Sequence, residues 1–268
     1  MSSQHKKQGR GTVLVVWSLV AAILCSSVLA ACGGSPASVS SQTYQYKPFL
    51  ALIVQLDNTT SFPVQFQQEA ARNLADRISS YISPNMQGMF VDVGLIEVNS
   101  LQNSYVSFST PAIPTIPPKP QPGNDPYTYA KALKNWKQTV ASVNALVASV
   151  RASIKPSLDK LYSLHLQEVG GTDIPGSAGS AADEFAHFPN GTKVLLYVSD
   201  MQSNVAVNFS KHINLHGAKV VVTYHVCQVE SACEQNDAFW TQQFKEWGAA
   251  SVKFYSPTES EAEHITGF

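Results

Sequence analysis

Asp57, Thr59 and Ser61 stand at alternate positions directly after an almost unbroken apolar run, residues 49–56 (FLALIVQL). Alternate residues of a turn project to one side, so these three can converge on one point. Asp200 follows a second apolar run, residues 194–198 (VLLYV), with only Ser199 between. Thr172 lies in the loop Gly170-Gly171-Thr172-Asp173, where glycines without a Cβ let the backbone approach closely. Together they offer two carboxylates and three hydroxyls, with no His or Cys. Such a hard, all-oxygen set suits Mg²⁺, or else Mn²⁺ or Ca²⁺, rather than zinc. The plainer alternative is that Asp57 and Asp200 cap neighbouring loops.

The elements that would position these residues are legible from apolar periodicity. The run 49–56 reads as a strand buried on both faces. A helix follows on Phe66, Ala70, Leu74, Ile78 and Ile82, ended by Pro84. Residues 89–98 form a second strand, and 104–109 alternate as a half-buried strand after a turn at 99–103. So tight a connection makes that pair an antiparallel edge hairpin. The stretch 111–126 is rich in proline and reads as an extended crossing or loop. From 127 to about 166 an apolar stripe at three- and four-residue spacing predicts a long helix, broken or restarted at Pro156. That helix either packs on the sheet or serves as an arm for self-association. A glycine-rich stretch at 169–180, a short helix at 181–188 and strands at 194–198 and 219–226 follow. An amphipathic helix at 237–250 and a last strand at 252–255 complete the order. Apolar strands alternating with helices predict an open α/β sheet with helices on both faces, whose ligands bind at the carboxyl ends of the strands.

Three motifs in this order resemble the von Willebrand factor A-type domain. The family's D-x-S-x-S is similar to Asp57, Thr59 and Ser61, with Thr in the middle place. Its Gly-Gly-Thr-Asn/Asp loop is similar to residues 170–173, and its strand-final S/T-D-G to Ser199-Asp200, with Met201 in place of Gly. The resemblance spans about residues 47–257. It implies a doubly wound, Rossmann-like, mostly parallel sheet with an antiparallel edge hairpin, bearing a metal-ion-dependent adhesion site. Asp57, Ser61 and Thr172 would touch the ion directly or through water, and Thr59 and Asp200 would complete the set. The implied activity is binding: a partner protein's acidic side chain would fill an open position on the ion. The segment 111–166 would be an insertion larger than most family members carry between hairpin and threonine loop.

Catalysis finds little support in the residues. Haloacid-dehalogenase-like phosphatases also begin with a strand and an Asp, but need an acid two places on, where this chain has Thr59. No G-x-S-x-G elbow follows a strand, and no phosphate-binding loop or dinucleotide fingerprint occurs. A non-enzymatic protein is therefore expected. The alternatives are a metal-independent envelope assembly protein associating through the 127–166 helix and, further off, a metal-dependent hydrolase.

The remaining signals concern location. Lys6, Lys7 and Arg10 precede an uncharged run, residues 12–31, that ends in Leu29-Ala30-Ala31-Cys32. This resembles a bacterial lipobox, which predicts a signal peptide at 1–31, a lipid on Cys32 and a flexible tether at 32–46. An uncleaved membrane anchor is the alternative, and either places the domain outside the cytoplasm, held to the membrane. The formal charge of −1 then divides unevenly. Three of the 18 cationic residues lie in the first 31 and none of the 19 acidic ones, so the remainder carries 15 against 19, a net of −4. No basic surplus exists to bind nucleic acid. Of four cysteines, Cys227 and Cys233 are left in the domain, and in an oxidising compartment a disulfide between them is expected. Residues 258–268 read as a tail.

Overall fold

The strand β1 (Leu50–Asp57) is buried at all eight positions, as a continuous apolar run demands. It is the centre of the sheet in a computed structural model that describes residues 48–100, 104–164, 170–203, 212–226 and 230–257. These residues belong to one compact unit, residues 41–268. The expected signal segment, Cys32, the tether, Cys227 and the tail from 258 lie outside the described residues.

β1 runs parallel to β2 (Met89–Ile96) on one side and to β4 (Thr192–Val198) on the other. β3 (Ser104–Thr110) pairs antiparallel with β2 at one edge, as the tight connection predicted. β5 (Lys219–Thr223) and β6 (Ser251–Phe254) extend the parallel part to the other edge. The order is β3-β2-β1-β4-β5-β6. The described chain is thus α/β, with a six-stranded, mostly parallel sheet and four helices: α1 (Val64–Tyr81), α2 (Pro126–Tyr162), α3 (Ile174–Phe185) and α4 (Glu230–Glu246). From β1 the chain first builds towards β3; after α3 it returns beside β1 and builds the other way. The order reverses between β1 and β4, and crevices at such switch points are where open α/β sheets bind ligands.

Two core clusters line the sheet. Leu50, Leu52, Val54 and Leu56 share one with the buried residues of α1 and α2. Ala51 and Ile53 share the other with those of α3 and α4. Successive strand residues point to opposite faces, so β1 feeds both clusters by alternation.

The long stripe on α2 is spent within the chain. Val143, Val147, Val150, Ile154, Leu158 and Leu161 are all buried against the first cluster. Nearer its start, the helix lies along the proline-rich segment, and Trp136 Nε1 donates to the Pro117 carbonyl at 2.8 Å. The packed-helix alternative therefore describes residues 143–161. Pro156 does not break α2, contrary to the sequence expectation, and the helix ends at Tyr162 rather than about 166. Pro156 is on the exposed side, where the carbonyl it leaves without a donor can meet water while the opposite stripe stays packed. Asp125 caps the start of α2, accepting from the backbone of Tyr127 (3.0 Å) and Thr128 (3.2 Å). Among the described residues no helix is long and apolar enough to cross a membrane.

Two further boundaries differ. α3 begins at Ile174, inside the glycine-rich stretch, because Asp173 caps it and its small residues let it lie close on the sheet. α4 begins at Glu230, seven residues before the expected start, as two polar turns precede its apolar face.

Candidate functional site

β1 ends on Asp57, which is fully buried. Its Oδ1 accepts from the Thr59 backbone N–H at 3.1 Å and from Thr59 Oγ1 at 2.7 Å, so the carboxylate shapes its own turn. Its Oδ2 accepts from Ser199 Oγ at 2.6 Å. Thr59 Oγ1 is 3.0 Å from Ser61 Oγ. With the Thr59 proton engaged by Asp57, the Ser61 hydroxyl is the donor in that pair. Thr172 Oγ1, 113 residues away in sequence, also donates to Thr59 Oγ1, at 3.3 Å. One carboxylate and three hydroxyls from two loops thus meet at the carboxyl end of β1. Thr59 is accommodated with its methyl buried, at 1% exposure.

Asp200 stands differently. It is buried just beyond β4, and its Oδ1 accepts from the Gln202 backbone at 2.9 Å. Among the described residues its carboxylate makes no hydrogen bond to the other four predicted residues. It is near enough to feel Asp57. Burial pushes its carboxyl up to about 6, against the backbone bond from Gln202, and the Asp57 charge adds to the rise. Burial also raises the Asp57 carboxyl, held back by the bonds from Ser199 and Thr59. Among the described residues no lysine, arginine or histidine pairs with either group. Two neighbouring buried carboxylates with no cationic side chain is an arrangement that a divalent ion relieves.

The loops carrying these groups are tied to one another. The Gln67 side chain donates to the Asp57 carbonyl. Asn58 Nδ2 reaches Glu97 Oε1 at 2.9 Å, and the Glu97 carbonyl accepts from the Asp173 backbone at 2.9 Å, linking the first loop to the threonine loop. Gly171 has φ +98°, a backbone that a side chain would strain. Ser203 Oγ donates to the Thr172 carbonyl at 2.9 Å, and Ser199 Oγ accepts from the Met201 backbone at 2.9 Å. Met201, standing where the resemblance has Gly, takes φ +59°, the left-handed region a glycine occupies most easily. Its carbonyl accepts from Trp240 Nε1 at 2.8 Å, which anchors that loop to α4.

Ser199, named in the motif match but not among the predicted site residues, is the hydroxyl that bonds the Asp57 carboxylate. Its signal was a hydroxyl at the end of a buried strand, beside the Asp that drew attention. Elsewhere, His225 Nδ1 lies 3.3 Å from Asp237 Oδ1, and its ring packs on Phe254. Cys233 lies near the start of α4, partly buried. Among the described residues no group of three or more His, Cys, Asp or Glu side chains stands together, so any ion here depends on hydroxyls as well as carboxylates.

No protein-family model matches this chain, and no curated protein matches it significantly.

Proposed function

We propose that this chain is a lipid-anchored, extracytoplasmic binding protein with a von Willebrand factor A-type domain, doubly wound with helices on both faces of its sheet. It uses a divalent cation, Mg²⁺ foremost, to engage an acidic group on a partner protein. The observation that carries the proposal is Thr172 meeting Thr59 and, through it, Asp57 and Ser61, across 113 residues and beside the switch point between β1 and β4. The antiparallel β3 edge and the split of β1 between two core clusters support the fold part of the reading.

Asp57, Ser61 and Thr172 hold the ion directly or through water, and Thr59 and Asp200 complete the oxygen set. When bound, the cation supplies a fixed positive charge with an unfilled coordination position. A partner's carboxylate would then meet that charge. The hydroxyls that meet the Asp57 carboxylate hold its turn and the neighbouring loop, and binding rather than turnover is the reading proposed.

The domain beyond the export segment is itself acidic, with a net charge of −4, and has no general attraction for an acidic surface. The full chain in detergent is therefore expected to stay on a resin bearing a glutamate-rich peptide in Mg²⁺, to elute with EDTA, and to pass a glutamine-rich resin. Retention that ignores EDTA, or that does not distinguish the two resins, would overturn the proposal.

A further inference from the structure

Strands buried on both faces read as apolar, yet β1 and β2 break that pattern together at one place. Gln55 and Asp92 are 3% and 8% exposed. Ile53 pairs with Asp92 and Gln55 with Gly94, so Gln55 and Asp92 lie on the same face of the sheet as Ile53, the one that α3 packs against. On the edge strand Ser107 pairs with Asp92 and Ser104 with Gly94, which keeps the face polar out to β3. Gly94 has no side chain to fill the space beneath α3. The result is a cavity of about 500 Å³, lined among others by Gln55, Phe90, Asp92, Ser107 and Glu184. It is separate from the cation site, which lies beyond the strand ends.

The lining has a definite chemistry. Asp92 Oδ1 accepts from Ser104 Oγ at 2.6 Å, and the Ser107 hydroxyl also bonds to it. Among the described residues no lysine, arginine or histidine pairs with Asp92, and none lines the cavity. Glu184 brings a second carboxylate from α3, and Asp183 a third beside it. The Gln55 amide, on a residue almost wholly buried, makes no hydrogen bond to any described residue and borders the cavity. Its polar atoms are therefore left to meet water or a ligand in the cavity. Phe90, packed on Phe188 with ring centroids 4.8 Å apart, gives the cavity one aromatic wall.

We propose that this cavity binds a small organic cation carrying a guanidinium group on a short alkyl chain. The volume falls within the range of small-molecule sites. A planar guanidinium presents paired N–H donors that match a carboxylate, here Asp92 with Glu184 opposite. The Gln55 carbonyl oxygen accepts a further N–H. The Phe90 ring takes the alkyl chain or the face of the cation.

The test is calorimetric titration of the full chain in detergent with n-butylguanidinium, and with n-butylurea as its neutral counterpart. The expected result is saturable binding of the cation, with the urea at least about tenfold weaker, as loss of one charge-assisted contact predicts. Asp92→Asn, which preserves shape and keeps an acceptor oxygen for Ser104, and Gln55→Leu should each weaken the cation by about tenfold or more. Asp57→Ala should leave it unchanged. A matching melting curve for each variant separates lost binding from lost folding. The capped tripeptide Gly-Arg-Gly identifies the source: binding as tight as the free cation assigns the site to an arginine side chain of a partner, and exclusion assigns it to a free compound, either of which supports a guanidinium site. Absence of saturable cation binding, equal binding of the urea, or binding indifferent to both Asp92→Asn and Gln55→Leu would overturn the proposal.

Discussion

Mg²⁺ or Mn²⁺ is expected to raise the melting temperature of the full chain, and Asp57→Ala to remove the whole of that gain. A ligand that binds only the folded state stabilises it by about 2.7 kcal/mol at one hundred times its dissociation constant. For a domain of this size that corresponds to a shift of roughly 5–10 °C. Asp57 is the residue on which the loss should be largest, because its carboxylate receives both the Thr59 turn and the Ser199 hydroxyl. Without cation the same variant should melt within a few degrees of wild type. Removing a carboxylate whose burial raises its pKa relieves a cost, while the hydrogen bonds lost with it act in the opposite direction. Asp57→Asn, which keeps most of those bonds, should lose the cation response equally. The gain should also depend on pH. Asp200 holds its proton up to about 6 in the fold, against 3.8 ordinarily. Without cation, stability therefore falls as pH rises from about 4 to about 6, where the unfolded chain releases that proton first, and is level above. A cation reverses this, since it needs the ionised form, so the Mg²⁺ gain should grow as pH passes upward through about 6. Melting curves with and without Mg²⁺ across that range, on wild type and Asp57→Ala, measure both effects.

Trp240→Ala is expected to be the most damaging single truncation for stability. Trp240 is 2% exposed and packs on Phe244 and Trp247, with ring centroids 5.8 and 6.3 Å apart. Truncating a buried aromatic of this kind costs about 3–5 kcal/mol. Trp240→Phe isolates a second role. It keeps most of the apolar bulk but removes the N–H that holds the Met201 carbonyl, at a cost to stability of about 1 kcal/mol. Met201 carries the left-handed backbone next to Asp200, so loosening it should reduce the Mg²⁺ gain well beyond that small loss. Chemical denaturation of both variants, with and without Mg²⁺, separates the roles. A Trp240→Phe chain that keeps the full Mg²⁺ response would show that the loop needs no such anchor.

β1, β4 and β5 were legible because each is an apolar run closed by polar residues, and β1 shows why that signal is strong: all eight positions are buried. α3 was not legible from 174 to 180. Gly176, Ser177, Gly179 and Ser180 disfavour helix in isolation, but close packing on the sheet and the Asp173 cap override propensity. α2 crosses Pro156 because its buried stripe lies on the other side of the helix. At the site, Asp57, Thr59, Ser61 and Thr172 were legible because each follows a strand end or a glycine pair, and the fold brings them together. Asp200 was legible as a residue but not in its orientation, since its carboxylate turns to the Gln202 backbone. Ser199 was legible as part of the strand-final motif, but not its bond to Asp57, because the two lie 142 residues apart on different strands. Gln55 and Asp92 were present as single polar interruptions in FLALIVQL and MFVDVGLI. Only the strand register shows that they share one face.

The most direct measurement of the central claim is the electron paramagnetic resonance spectrum of Mn²⁺ titrated into the full chain. One ion per chain should leave the free-ion signal, be displaced by Mg²⁺, and return to free Mn²⁺ in Asp57→Ala and in Thr172→Val, which loses only the hydroxyl that reaches Thr59. A chain that leaves Mn²⁺ free at every concentration, or that holds it as well in both variants as in wild type, contradicts a cation site at the carboxyl end of β1.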